Sequence, residues 1–130
     1  MKRVVLGIFL SLTFLFAGAK NIPASPEIVQ SGITIIDIRT KPEWIQTGIV
    51  KGAVPITFFD ERGGYDAQKF LVALDGYVNK NEEFAIICRS GNRTTAVSKF
   101  LGELGYKVIN LQGGVKHLVS QGYELSKYNP

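Results

Sequence analysis

Soft metal ligands are nearly missing from this chain. Its 130 residues hold one cysteine, Cys88, and one histidine, His117. A structural zinc takes about four ligands, mostly of these two types, so the composition argues against a metal site. A lone cysteine also excludes an internal disulfide. Lys/Arg runs interleaved with aromatics are absent, which argues against a nucleic-acid partner. No apolar run reaches the roughly 20 residues that span a bilayer.

The longest apolar run is Val4 to Ala17, broken only by Gly7, Ser11 and Thr13. Before it stand Lys2 and Arg3, and after it comes "AGA", Ala17 to Ala19. A charged start, an apolar middle and an A-x-A end describe a secretory signal peptide. Residues 1–19 are therefore expected to be a cleaved leader and residues 20–130 a single domain, with no membrane span left after cleavage. Export follows, to the periplasm if the source is a Gram-negative bacterium. The formal net charge is +4, and loss of Lys2 and Arg3 leaves thirteen cations against eleven anions, or +2. The mature domain is thus only mildly basic.

Export makes the lone thiol a question. An unpaired cysteine in an oxidising compartment is either buried and inert or kept for its reactivity. Its surroundings favour reactivity. "FAII" (Phe84–Ile87) reads as a buried strand, and "TAVSKFLGELG" places Ala96, Val97, Phe100, Leu101 and Leu104 at helical spacing. Between them lies "CRSGNRT", Cys88 to Thr94. Gly91 permits a tight turn, backbone N–H groups can curl round the sulfur, and the helix behind presents roughly half a positive charge. Arg89 and Arg93 add two permanent cations. Together these favour the thiolate, the nucleophilic form, over the thiol that predominates in free cysteine below about pH 8.5. They also build an anion cup.

Strands and helices alternate along the rest of the chain. Ser25-Pro26-Glu27 opens a short helix. "ITIIDI" (33–38) is a β-branched strand. Thr40 caps a helix that Gly48 stops, and "AVPIT" is a short strand that Pro55 makes an edge or only briefly paired. "FFDERGGYD" (58–66) is a loop, and Ala67 to Val78 a helix with Phe70, Leu71, Leu74 and Val78 on one face. "YKVINL" is a further strand before a last helix stopped by Gly122. Such alternation predicts an α/β domain with parallel strands, and ligands at their carboxyl ends, where Cys88 stands.

Four segments in order resemble the rhodanese family of sulfurtransferases, over about Ser25 to Tyr123. They are "IIDIRTKPEW", "GIVKGAVPI", "CRSGNRT" and "LQGGVKHL". The resemblance implies a single rhodanese-like domain, with a central, mostly parallel sheet of about five strands flanked by helices. The loop length separates two chemistries known on this fold. Sulfurtransferases carry C-x4-R, as Cys88 to Arg93 do here; related phosphatases and arsenate reductases carry C-x5-R, and the residue six after Cys88 is Thr94. Sulfur transfer is therefore expected ahead of phosphate or arsenate chemistry, with a persulfide carrier that does not turn over as the alternative.

The implied mechanism is double displacement through a covalent persulfide on Cys88, with no cofactor and no metal. Arg89, Ser90, Gly91, Asn92, Arg93 and Thr94 would bind substrate. The partners would be a small anionic sulfur donor such as thiosulfate and a thiol, cyanide or protein acceptor. Asp37, Arg39 and Glu43 would support the site: Arg39 and Glu43 as an ion pair between strand and helix, Asp37 facing the loop. Trp44 reads as a packing residue and His117 as a partly exposed one. Two departures from the family pattern, Ile49 for histidine and Lys51 for proline, fall beside the expected mouth of the pocket, at "FFDERGGYD" and around Ile49.

Overall fold

The computed structural model describes residues 18–130, so the leader reading lies outside the described residues except for Gly18 and Ala19. Five strands form one all-parallel sheet in the order β1-β5-β4-β2-β3. They are β1 (Ala19–Pro23), β2 (Ile35–Asp37), β3 (Val54–Pro55), β4 (Glu83–Ile87) and β5 (Lys107–Gln112). The helices are α1 (Pro26–Val29), α2 (Lys41–Thr47), α3 (Ala67–Asp75), α4 (Asn92–Glu103) and α5 (Gly114–Ser120). Among the described residues no helix is long and apolar enough to cross a membrane.

The sheet is buried on both faces, as an all-parallel sheet must be. Side chains alternate across it. Ile36, Phe84, Ile86 and Val108 point to one side, where Phe70 and Leu74 of α3 and Val97 and Leu101 of α4 cover them. Ile35, Ala85, Ile87, Ile109 and Leu111 point to the other, under Val29 of α1 and Val115 and Leu118 of α5. Val54–Pro55 is an edge strand, as the proline requires. β2 continues toward β3 on one side, and β4 toward β5 on the other. The crevice at this reversal, outside the carboxyl ends of β2 and β4, is the place such sheets use for ligands.

Helix starts follow the cap chemistry. Ser25 Oγ accepts from Ile28 N–H at 3.3 Å. Thr40 donates both its N–H and its hydroxyl to Glu43 Oε1, at 3.2 and 3.1 Å. Asp66 accepts from Lys69 N–H at 3.1 Å. α3 stops at Asp75, with Gly76 as its cap, three residues short of the expected end; Val78 still reaches the core from the following turn.

One element is new. β1 pairs with β5 from Ala19↔Val108 to Pro23↔Gln112, and Val108 N–H donates to Gly18 O. Gly18 passes so close to Gly102 that a Cβ on it would meet Gly102 O at 2.6 Å.

Candidate active site

β4 delivers Cys88 to the crevice. Phe84, Ile86 and Cys88 share one face of the sheet, so the thiol turns toward α4. The chain then bends through Gly91, whose φ of +99° is a left-handed conformation that side chains avoid. The bend brings Gly91 N–H to 3.2 Å from Cys88 Sγ, and the first turn of α4 brings Thr94 Oγ1 to 3.5 Å. Cys88 is 1% exposed, so its sulfur lies at the floor of the cup. α4 has no side-chain cap, and among the described residues the amides of Asn92, Arg93 and Thr94 take no backbone acceptor. These first-turn donors point back along the helix axis, toward the loop.

A second glycine pair supports the loop from beneath. Val115 N–H donates to Cys88 O at 2.9 Å, and Lys116 N–H to Arg89 O at 3.0 Å. Such closeness requires Gly114, where a Cβ would sit 2.4 Å from Cys88 O. Gly91 likewise approaches Gly113 N, leaving 3.0 Å for a Cβ. Gly113 and Gly114 belong to the site, although neither carries a reactive group. Their sequence signal was two adjacent glycines directly after a strand.

The structure separates the charged residues differently from the sequence expectation. Arg39 does not pair with Glu43. It is 1% exposed and turns back on Asp37, donating Nε at 3.0 and 3.1 Å and Nη2 at 2.8 Å to the carboxylate. Its remaining donors go to Thr47 Oγ1 and Gly48 O, both at 2.8 Å. Asp37 also takes Arg39 N–H at 3.0 Å, so its carboxylate is engaged by this one residue and not by the Cys88–Arg93 loop. Arg39 precedes α2, so the four-residue spacing to Glu43 is not a helical pair.

Glu43 instead takes a bidentate pair from Arg93, at 2.7 and 2.8 Å. The Arg93 guanidinium holds its carboxyl at about 2, with burial working against it and the Thr40 donors adding to it. The same hydrogen bond raises Arg93, and the charges of Cys88 and Asp37 contribute in the same direction. Arg93 is thus fastened to α2. Arg89, Ser90 and Asn92 are exposed, and Arg89 has no carboxylate partner among the described residues.

The expected mouth is also corrected. Ile49 is buried beneath the C-terminal tail, exchanging backbone hydrogen bonds of 2.8 Å with Ser126 in both directions. Lys51 N–H donates to Tyr123 Oη. The "FFDERGGYD" loop forms an aromatic groove with Ala96, Val97 and Phe100 of α4, and no residue of Cys88–Arg93 lines it. A groove that reaches the loop through Arg89 lies between α2, α5 and the tail. Trp44 packs as expected, with Tyr128 of the tail at 5.4 Å between ring centroids. His117 is exposed on α5.

Known proteins share this fold. The rhodanese-like domain profile matches residues 19–121. YtwF of Bacillus subtilis, provisionally named a sulfurtransferase, is 33% identical over 81 residues, 62% of this chain and 68% of that protein. A rhodanese-related protein from Thermoplasma volcanium superposes with a TM-score of 0.60 at 22% identity, covering 82% of this chain and 98% of the other. A rhodanese-like domain protein from Staphylococcus aureus gives 0.59 at 25% identity with the same coverage. With the family profile spanning most of the described residues and the Bacillus relative in agreement, the chain belongs to the rhodanese-like domain family, and sulfur transfer is its function at the level of that family.

Proposed function

We propose that the protein moves sulfane sulfur from thiosulfate, or a similar anionic donor, to a thiophilic acceptor through a persulfide on Cys88. The observation that carries this is the cup: one N–H already on Sγ and three first-turn amides without an acceptor in the backbone. Cys88 thiolate attacks the outer sulfur of thiosulfate. A new S–S bond forms, the donor's S–S bond breaks, and its electron pair leaves with sulfite. A cyanide or thiolate then attacks the outer sulfur of the persulfide, and the electron pair of the broken bond returns to Sγ. Cys88 ends as it began.

Each loop residue has a part in this reading. Arg89, exposed and without a carboxylate partner among the described residues, attracts the donor dianion. The open amides stabilise negative charge on the outer sulfur. Thr94 hydroxyl lies between Sγ at 3.5 Å and Gly91 O at 3.2 Å, and its single proton serves one of them at a time. With a thiol, S–H donates to Thr94 Oγ1; with a thiolate or persulfide, Thr94 donates to sulfur. Arg93 holds the loop against α2 and lends its charge, which assigns it to positioning before substrate contact. Ser90 and Asn92 remain at the rim.

Thiosulfate should add one sulfur to the Cys88 peptide, read by mass spectrometry, and cyanide should then release thiocyanate. Cys88→Ala should do neither, and equal thiocyanate production by that variant would sink the proposal. The same cup would also hold a persulfide in a carrier that does not turn over. A persulfide that forms but resists every small acceptor would favour that form of the reading. Export belongs to the proposal as well: the secreted protein should begin at Lys20, as N-terminal sequencing would reveal, which leaves residues 20–23 to pair with β5.

A further inference from the structure

The buried stretch of β5 is apolar except at one position. Between Ile109 and Leu111 stands Asn110, which is 1% exposed and whose Oδ1 has no hydrogen-bond partner. An orphaned buried amide oxygen is destabilising, and a leucine of similar size would remove the penalty. Packing alone gives no reason for an asparagine here, but its donors do. Asn110 lies two residues beyond Val108, so its side chain leaves the sheet on the face that α4 covers. Nδ2 donates to Asn21 Oδ1 on β1, directly opposite, at 3.0 Å, and to Thr95 Oγ1 on α4 at 3.3 Å. Thr95 Oγ1 in turn donates to Gly91 O at 2.7 Å, and Gly91 is the residue whose N–H meets the Cys88 sulfur. A series of hydrogen bonds thus runs from the buried amide to the Cys88–Arg93 loop.

This series settles the direction of one proton. Gly91 O has two lone pairs and three donors within reach: Thr95 N–H at 3.1 Å, Thr95 hydroxyl at 2.7 Å and Thr94 hydroxyl at 3.2 Å. The Thr94 proton is the one that also reaches Sγ. With both lone pairs occupied by Thr95, Gly91 O holds Thr94 least. Asn110 donates to the Thr95 oxygen and so strengthens that hydroxyl as a donor to Gly91 O. Asn21 keeps the amide turned so that Nδ2 faces Thr95. Resting on the persulfide reading above, we propose that Thr95 and Asn110 are positioning residues, which turn the Thr94 hydroxyl proton onto the Cys88 sulfur once that sulfur is a thiolate or a persulfide. Without them Gly91 O recruits Thr94, and the sulfur loses its hydroxyl donor.

Single-turnover loading by thiosulfate, followed by mass, tests this. Thr95→Val keeps the shape and removes the hydroxyl, and it should load about fivefold more slowly than the wild type. Thr95→Ser restores the hydroxyl and should load like the wild type. In a Thr94→Val background, Thr95→Val should slow loading no further, because the proton it directs is gone. Asn110→Leu should slow loading about threefold, with a urea midpoint at or above that of the wild type, since the orphaned oxygen is removed. Wild-type loading by Thr95→Val would overturn the proposal. So would Thr95→Ser as slow as Thr95→Val, an equal loss from Thr95→Val with and without Thr94, or an Asn110→Leu protein that loads at the wild-type rate or loses stability and rate together. If the wild type takes no sulfur from thiosulfate, the persulfide reading fails by itself, and alkylation of Cys88 by iodoacetamide at a single pH decides. Thr94→Val and Thr95→Val should then share one altered rate, with Thr95→Ser at the wild-type rate; the same rate in all four proteins would overturn the proposal.

Discussion

Two strand-to-helix turns lie side by side in this molecule and have opposite chemistry. The turn after β2 runs through Ile38 to Thr40, and the turn after β4 through Cys88 to Gly91; the strands are neighbours, with Asp37 opposite Ile87. Each leads into a helix and each carries an arginine. The first turn answers its own charges. Asp37 neutralises Arg39, Thr40 donates to Glu43 at the start of α2, and Asp37 and Arg39 are buried. The second turn leaves its donors open: α4 has no side-chain cap and Arg89 no counter-ion among the described residues. Internal satisfaction yields a brace, and its absence yields a binding site. Glu43 connects the two by reaching from the braced turn to Arg93 of the open one.

The comparison holds only if damage to one turn costs stability and damage to the other costs chemistry. The largest effect is expected at the brace. Arg39→Leu leaves Asp37 charged and buried, so urea unfolding should show a loss of about 3–5 kcal/mol, while the remaining folded protein still forms persulfide. A stable Arg39→Leu variant without persulfide chemistry would reverse the assignment. Next is Gly91→Ala, which sets a Cβ at positive φ and near Gly113 N. Its strain costs about 1–2 kcal/mol, but persulfide formation in a single turnover should slow about a hundredfold as the Gly91 donor is displaced. Thr94→Val keeps the shape and removes the hydroxyl from Sγ. The rate should fall about tenfold with little change in unfolding.

The smallest effect belongs to the connecting pair. Glu43 is held near 2 in the folded protein, while an unfolded glutamate titrates at about 4.3. A depressed carboxyl stabilises the fold above its unfolded value and loses that contribution as pH falls through the folded one. The wild type should therefore lose stability relative to Glu43→Gln between about pH 4.5 and 2, and the two curves should run parallel above that window. Both partners are partly exposed, so the difference is modest. A wild-type advantage that stays constant or increases as pH falls from 4.5 to 2 would contradict the Arg93–Glu43 pairing.

What the sequence disclosed depended on how local each cause was. Ser25-Pro26 and Thr40-Lys41-Pro42 announce their helices within a few residues, and both helices form there. Cys88 was legible because strand, glycine and helix adjoin it. Glu43 was not, because its partner stands fifty positions away and a nearer arginine offered a plausible spacing. β1 escaped because Ile22 is its only partly buried residue; backbone pairing with β5 makes it a strand, without an alternating apolar pattern. Ile49 looked like a pocket residue by position, but the tail that covers it begins more than seventy residues later.

The glycine support under the loop bears on transplantation. Cys88 O and Arg89 O are both held by amides of α5, across a gap that only Gly114 keeps open. The seven residues "CRSGNRT" are therefore not a portable cassette. Moved to another strand-to-helix turn, they would bring the thiol and the arginines but no floor. A graft intended to carry this chemistry must also include Gly113 to Lys116, a segment that contains no nucleophile.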